Sequence, residues 1–285
     1  MTSRVKENLR DKAVVITGAA GGLGTAYAEA FGAAGAKLVL VDNGVSIDGA
    51  PGDAQRVEAL AESLRQKGYE AIGLSLDVAT REGAEAAIAR ATESFNELSV
   101  LVTSTGILLD KTLLKLSDGE WDRVNDACLR ATFLTTQAFA KHVVRHQNGA
   151  RIVHTVSLQG LTGSLAQGNF AAANSGIFGF MRSTSIELQK HKVTVNAVAP
   201  LAKTRMTEHL PMFHGVTTLT PEHVVPAVLY LGSDLVGQRT GHLLAVAGAR
   251  MFAYKFVETN GVFKEEANGV WTPEEIRERW DSIVK

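Results

Sequence analysis

Val14-Val15-Ile16-Thr17-Gly18-Ala19-Ala20-Gly21-Gly22-Leu23-Gly24 reads as a buried strand, a glycine-rich turn and the first turn of a helix. The run Val14-Val15-Ile16 is short, apolar and β-branched, as a central parallel strand requires. Gly18, Gly22 and Gly24 let the backbone bend sharply and approach a ligand closely. A helix from about Leu23 to Ala34 then points its N-terminus, with free N–H groups and the positive end of its dipole, at that turn. Such an end suits a pyrophosphate.

Working outward, Lys37 to Val41 reads as a second apolar strand, completing a βαβ unit. Asp42 ends it, 18 residues after Gly24. A carboxylate there can bond both hydroxyls of an adenosine ribose and repels a 2′-phosphate, which points to NAD(H). Strands at Ala71–Leu76, Val100–Thr103, Arg151–Val156, Val193–Ala199 and His242–Ala247 alternate with helical stretches. One of these is a long helix from about Ser117 to Gln147. The pattern predicts a doubly wound, seven-stranded parallel sheet with helices on both faces. Gly18, Asp42, Asp77, Gly106, Ser157 and Pro200 all fall at the carboxyl ends of those strands, where such sheets bind ligands. Residues 1–247 form this domain. Residues 248–285 are a C-terminal extension that packs on the domain or on a partner subunit, and Thr272-Pro273-Glu274-Glu275 carries a capping-box pattern for its helix.

The composition is that of an ordinary globular chain, with 285 residues, 45% apolar and 21% charged. A formal net charge of −1 gives no electrostatic case for nucleic acid or an anionic membrane. No apolar run reaches membrane-spanning length. The single cysteine, Cys128, cannot form an internal disulfide, which suits a reducing compartment, and the cytoplasm is the expected location. No set of residues has metal-ligand spacing.

The motif Thr17-Gly18-x-x-x-Gly22-x-Gly24 resembles the cofactor motif of the short-chain dehydrogenase/reductase family, and the resemblance spans most of the chain. It implies a Rossmann-type fold. Gly106-Ile107-Leu108-Leu109-Asp110, Trp121-Asp122 and Trp271-Thr272-Pro273-Glu274-Glu275-Ile276 are similar to the (3R)-hydroxyacyl-CoA dehydrogenase domain of peroxisomal type 2 multifunctional enzymes and bacterial relatives. The resemblance implies NAD(H) held by Gly18, Gly22, Leu23, Gly24, Asp42, Asp77, Val78, Thr105, Gly106, Asn174 and Pro200. It further implies an acyl-CoA or similarly bulky small-molecule substrate, and a homo- or hetero-oligomer with a paralogue.

The family's chemistry rests on Asn, Ser, Tyr and Lys. Ser157 fits the serine, and the tyrosine belongs 13 residues later, where this chain has Phe170. Asn174 stands at the lysine position and Cys128 at the asparagine position. Hydride transfer to a carbonyl builds an alkoxide that needs a proton. A tyrosine supplies it, its pKa lowered from about 10 by the lysine. Phe170 moves no proton, and Asn174 carries no charge, although its amide can bond a ribose hydroxyl. The reading is therefore a redox-impaired member of the family. It serves as a non-catalytic subunit beside an active paralogue, or runs a redox-neutral step (isomerase, lyase or cyclase) on a bulky carbonyl or acyl-CoA. The alternative is an NAD-dependent 3-hydroxyacyl-CoA or alcohol dehydrogenase with a substitute proton donor such as His209 or His214. By strand alternation His154 faces away from Ser157 and is a structural histidine.

Overall fold

A computed structural model describes residues 3–208, 210, 213–264 and 269–285; His209 lies outside them. The chain divides into two compact units, Met1–Ala253 and Tyr254–Lys285. In the larger unit the strands are β1 (Ala13–Thr17), β2 (Lys37–Val41), β3 (Ala71–Leu74), β4 (Leu98–Thr103), β5 (Ala150–Thr155), β6 (Val193–Leu201) and β7 (Leu243–Ala247). The last strand, β8 (Arg250–Tyr254), runs into the start of the smaller unit. The sheet order is β3-β2-β1-β4-β5-β6-β7-β8. The pairs from β1 through β7 are parallel.

The helices sit on two faces because the strands are apolar on both. Val15 and Ala13 point to one core with α4 (Arg81–Phe95), α6 (Ala131–His146) and α8 (Gly168–Glu187). Val14 and Ile16 point to the other, with α2 (Gly22–Ala33), α3 (Arg56–Gln66) and α9 (Val225–Leu231). Every residue of β1 is buried, which is why no polar side chain alternates along it. The chain leaves β1 toward β2 and β3, then returns to place β4 on the other side. The crevice between β1 and β4 is thus the switch point of the sheet.

The sheet has eight strands where the sequence reads as seven. Gly248, at φ +57°, turns the chain back within two residues, and a connection that short joins antiparallel neighbours. Most of β8 is exposed, so it carries none of the apolar signal that marks the others. The long helix expected from Ser117 is also divided. Ser117 caps α5 (Asp118–Asn125) through a capping box with Glu120. A π-helical segment, Asp126–Arg130, then joins it to α6. Finally, β6 does not stop before Pro200, which pairs with Val246 inside the strand. The carbonyl of Val198 accepts from Val156 on the β5 side, and alternation aims position 200 the same way. There β5 has already ended at Thr155, so the missing proline N–H breaks no ladder bond.

The smaller unit contains α10 (Pro273–Ile283). Thr272 accepts from the Glu275 N–H and the Glu275 carboxylate accepts from the Thr272 N–H, the capping box read from the sequence.

Candidate active site

Register aligns the ends that build the site. Thr17 pairs with Thr103, and Thr103 with His154. The glycine turn, the Ser104-Thr105-Gly106 segment and Ser157 therefore emerge from one edge of the sheet. They open onto a cleft of about 510 Å³.

One end of the cleft is backbone. Gly18 sits at φ +67°, and a Cβ there would meet the Ser104 carbonyl oxygen at 2.4 Å. A Cβ on Gly24 would lie 2.2 Å from the Gly18 oxygen, so the turn and the helix fit only as glycine. Gly21 caps α2 without any side-chain bond. The N–H groups of Gly22, Leu23 and Gly24, in the first turn, precede the first intrahelical bond and face an anion's position unclaimed. Asp42 fixes the flank of this turn. Its Oδ2 accepts from the Ala20 N–H at 3.0 Å and its Oδ1 from the Gly44 N–H at 2.8 Å. Arg56, which gave no sequence signal, donates to the Ala20 carbonyl at 2.6 Å and lines the same end. Asp77 and Val78 line it from beyond β3, with the Asp77 carboxylate accepting the Ala79 N–H at 3.0 Å. The Thr105 hydroxyl is buried there without a partner. A bare helix end, an anchored carboxylate and an orphaned hydroxyl fit a dinucleotide's phosphates and sugars.

The other end is side chains. Phe170 and Asn174 stand one turn apart on α8, and both line the cleft with Ser157 and Pro200. Asn174 Oδ1 accepts the Ser157 N–H at 2.7 Å, while its Nδ2 donates to the Phe170 carbonyl at 2.8 Å. The Ser157 hydroxyl donates to Gln159 Oε1. Among the described residues lining the cleft there is no tyrosine, lysine or histidine.

Cys128 lies in the π-helical segment, 2% exposed, its sulfur 3.2 Å from where a Cβ on Gly106 would stand. Burial pushes its thiol up to about 11, so it stays protonated near neutral pH. His154 is fully buried, bonded through Nδ1 to Thr103 Oγ1 at 2.9 Å, and burial pulls its pKa down to about 3. It is absent from the cleft wall, and His214 is exposed. The residues assigned to the cofactor, with Ser157, Phe170, Asn174 and Cys128, all line one cleft; of the two alternative donors, His214 does not line it and His209 lies outside the described residues. What the sequence did not show is the bonding among Ser157, Gln159 and Asn174.

A doubly wound α/β fold with a glycine turn at its switch point defines a nucleotide-binding class of protein. Comparison narrows it. The short chain dehydrogenase family matches residues 12–212, and the chain belongs to that family, the short-chain dehydrogenases/reductases. It is 33% identical over 272 residues to the mouse peroxisomal multifunctional enzyme type 2, covering 95% of this chain and 36% of that protein. The chain spans about a third of the length of such multifunctional relatives. A Thauera aromatica protein named as a subunit of (2S)-[(R)-hydroxy(phenyl)methyl]succinyl-CoA dehydrogenase is 30% identical, covering 85% of this chain and 97% of that one. A short chain dehydrogenase of Mycobacterium avium, known as a crystal structure, superposes with a TM-score of 0.83 at 33% identity, over 96% of this chain and 95% of that one.

Proposed function

We propose that this chain is the non-catalytic, NAD(H)-binding subunit of a short-chain dehydrogenase assembly. One observation carries the reading: among the described residues the Ser157 hydroxyl bonds only to Gln159, and the α8 positions at which the resemblance to the family implies a tyrosine and a lysine hold Phe170 and Asn174. Among the described residues lining the cleft, no tyrosine, lysine or histidine stands beside Ser157 to protonate an alkoxide, and losing a positioned acid costs on the order of 10²–10⁴-fold in rate. Buried, neutral Asn174 cannot replace the ammonium electrostatically, since its amide is committed to Ser157 and Phe170.

The residues that would hold the dinucleotide are Gly18, Gly22, Leu23 and Gly24 for its phosphates, Asp42 for the adenosine ribose, and Thr105 with Gly106 farther along the cleft. When bound, NAD(H) supplies a hydride carrier. The chain's own residues provide the anion site, the ribose acceptor and the apolar wall of Phe170. A redox-neutral role at this end is less well supported, since an isomerase or lyase needs an acid or base as much as a dehydrogenase does. A role as a subunit also accords with the name of the Thauera relative. The bulky thioester substrates of such assemblies, and a paralogue as the partner, follow from that reading.

The test is to purify the chain alone and then with a paralogue that keeps the Tyr-x-x-x-Lys pair. Saturable quenching or enhancement of NADH fluorescence, no change at 340 nm with hydroxyacyl-CoA thioesters, and co-elution with the paralogue are expected. Turnover by the lone chain at ordinary enzyme rates would refute the proposal.

A further inference from the structure

We infer that Arg56 is a positioning residue of the anion site: it locks the Ala20–Gly21 peptide and so keeps the glycine turn in the one shape that presents the free N–H groups of Gly22, Leu23 and Gly24. The inference rests on the reading of that turn as the phosphate end of an NAD(H) cleft.

The turn is tied peptide by peptide. The Ala19–Ala20 peptide is held at both ends: the Ala19 carbonyl accepts from the Thr25 hydroxyl at 3.2 Å, and the Ala20 N–H donates to Asp42 at 3.0 Å. The Gly21–Gly22 peptide already belongs to the helix, its carbonyl accepting the Thr25 N–H at 2.9 Å. Ala20–Gly21 lies between them. Its N–H, that of Gly21, donates to the Gly18 carbonyl at 3.1 Å, and its carbonyl, that of Ala20, accepts from Arg56 at 2.6 Å. Among the described residues no backbone N–H bonds this carbonyl. Arg56 is thus its one tie, and it comes from α3, outside the β1–α2–β2 unit that carries the turn.

That peptide is where the turn yields most easily. Gly21 lies at φ −78° and ψ 166°, and rotating the peptide plane before it carries φ to positive values that glycine enters freely. Held at one end only, the plane would exchange between orientations, and every population outside the binding shape lowers the apparent affinity. A bond at each end removes that freedom before a ligand arrives. The placement of Arg56 agrees. It is the first residue of α3, where the helix dipole is positive and a cation is disfavoured. No ion pair among the described residues offsets this. The packing of α3 does not need the arginine either, since its buried positions are Val57, Ala61 and Leu64. What the guanidinium does bond is the glycine turn, 36 residues back.

A guanidinium lining the cleft would also attract phosphates as a plain charge, and salt separates the two roles. The test compares the whole chain with Arg56→Met, which keeps an apolar stem and loses the donor, and Arg56→Lys, which regains a donor for the carbonyl. Arg56→Ala repeats the comparison without the stem. NADH affinity is read by fluorescence at about 0.1 M and about 1 M salt, where the screening length is about 10 Å and about 3 Å. The Met and Ala variants are expected to bind about ten-fold more weakly at both, as a turn in the binding shape one-tenth of the time would, and the Lys variant to recover most of the loss. In the chain without ligand, hydrogen exchange at the Gly21 amide, followed by NMR on glycine-labelled protein, should quicken in Arg56→Met and not in Arg56→Lys. Amide and carbonyl share one rigid plane, so freeing one frees the other. A loss of affinity that disappears at the higher salt would make Arg56 a simple charge and overturn the inference. So would an unchanged Gly21 exchange rate. Absence of NADH binding by the parent would sink the dinucleotide reading and this inference with it. Binding by the parent that Arg56→Met leaves intact would sink this inference alone.

Discussion

The two ends of the cleft are built from different materials. At the β1–α2 end the working groups are backbone N–H donors, and glycine is enforced by contacts of 2.2–2.4 Å that any Cβ would make. At the β5–α8 end the working groups are the side chains Ser157, Phe170 and Asn174, which the backbone tolerates in many identities. Substitution on α8 can therefore remove proton chemistry without disturbing the fold. Substitution in the glycine turn removes the ligand site and threatens the fold with it. Binding and chemistry are separable here because one belongs to main chain and the other to side chains.

The sharpest way to break this comparison is to put chemistry back. Phe170→Tyr with Asn174→Lys should raise hydride transfer, followed at 340 nm with a hydroxyacyl-CoA and NAD, by about 10²–10⁴-fold over the parent. The lysine also removes the bridge between the Ser157 N–H and the Phe170 carbonyl, so each single variant should gain far less than the pair. A flat response in the double variant would show that more than the acid is missing from this end.

The opposite end is broken by adding one methyl group. Gly24→Ala drives a Cβ into the Gly18 carbonyl, with Ala19 backbone at 2.7 Å behind it. Overpacking against main chain that cannot yield should cost about 3 kcal/mol, read by chemical denaturation, and should abolish NADH binding. The same change at exposed Gly119, where no atom lies within 4 Å of the added carbon, is the control and should do neither.

How far each end could be read before the structure follows from the same difference. The glycine spacing and the apolar strands are local patterns, and they placed the sheet and the cleft; the capping box at Thr272 likewise placed the last helix. Ser157, Phe170 and Asn174 were legible only through the resemblance to the family's Ser and Tyr-x-x-x-Lys pattern. Their bonding was not, because it joins a strand end to a helix 17 residues away and depends on which amide atom faces which carbonyl. Arg56 reaches across 36 residues to Ala20, a contact no periodicity encodes. The exposed β8 and the π-helical segment escaped for a related reason: neither buries a face with a regular repeat.

A pH titration sharpens the comparison from inside the sheet, next to the chemical end but outside the cleft. His154 is neutral when folded, with its pKa pulled down to about 3 by burial, whereas unfolded histidine titrates near 6.5. Between those values the unfolded chain binds the extra proton, so stability is fully present above about 6.5 and is lost as the pH falls toward 3. The slope contributed by this one group approaches about 1.4 kcal/mol per pH unit. His154→Asn, which can keep a bond to Thr103, should flatten the dependence of Tm on pH below 6.5. An unchanged slope would mean that other groups carry the acid sensitivity.

The smallest effect is expected at Cys128, which stands between the two ends against Gly106. With the thiol pushed up to about 11 and 2% exposed, the thiolate that alkylating reagents need is both scarce and shielded. Labelling by iodoacetamide at pH 8 should therefore follow the rate at which the chain opens, and denaturant should accelerate it in step with unfolding. Cys128→Ala should cost about 1 kcal/mol for a small buried side chain and leave NADH affinity unchanged, since nothing at this position donates to or repels a ligand. If the thiol were alkylated at the rate of a free cysteine, or if NADH protected it, Cys128 would join Ser157 as a group that reaches the ligand. The middle of the cleft would then belong to its side-chain half.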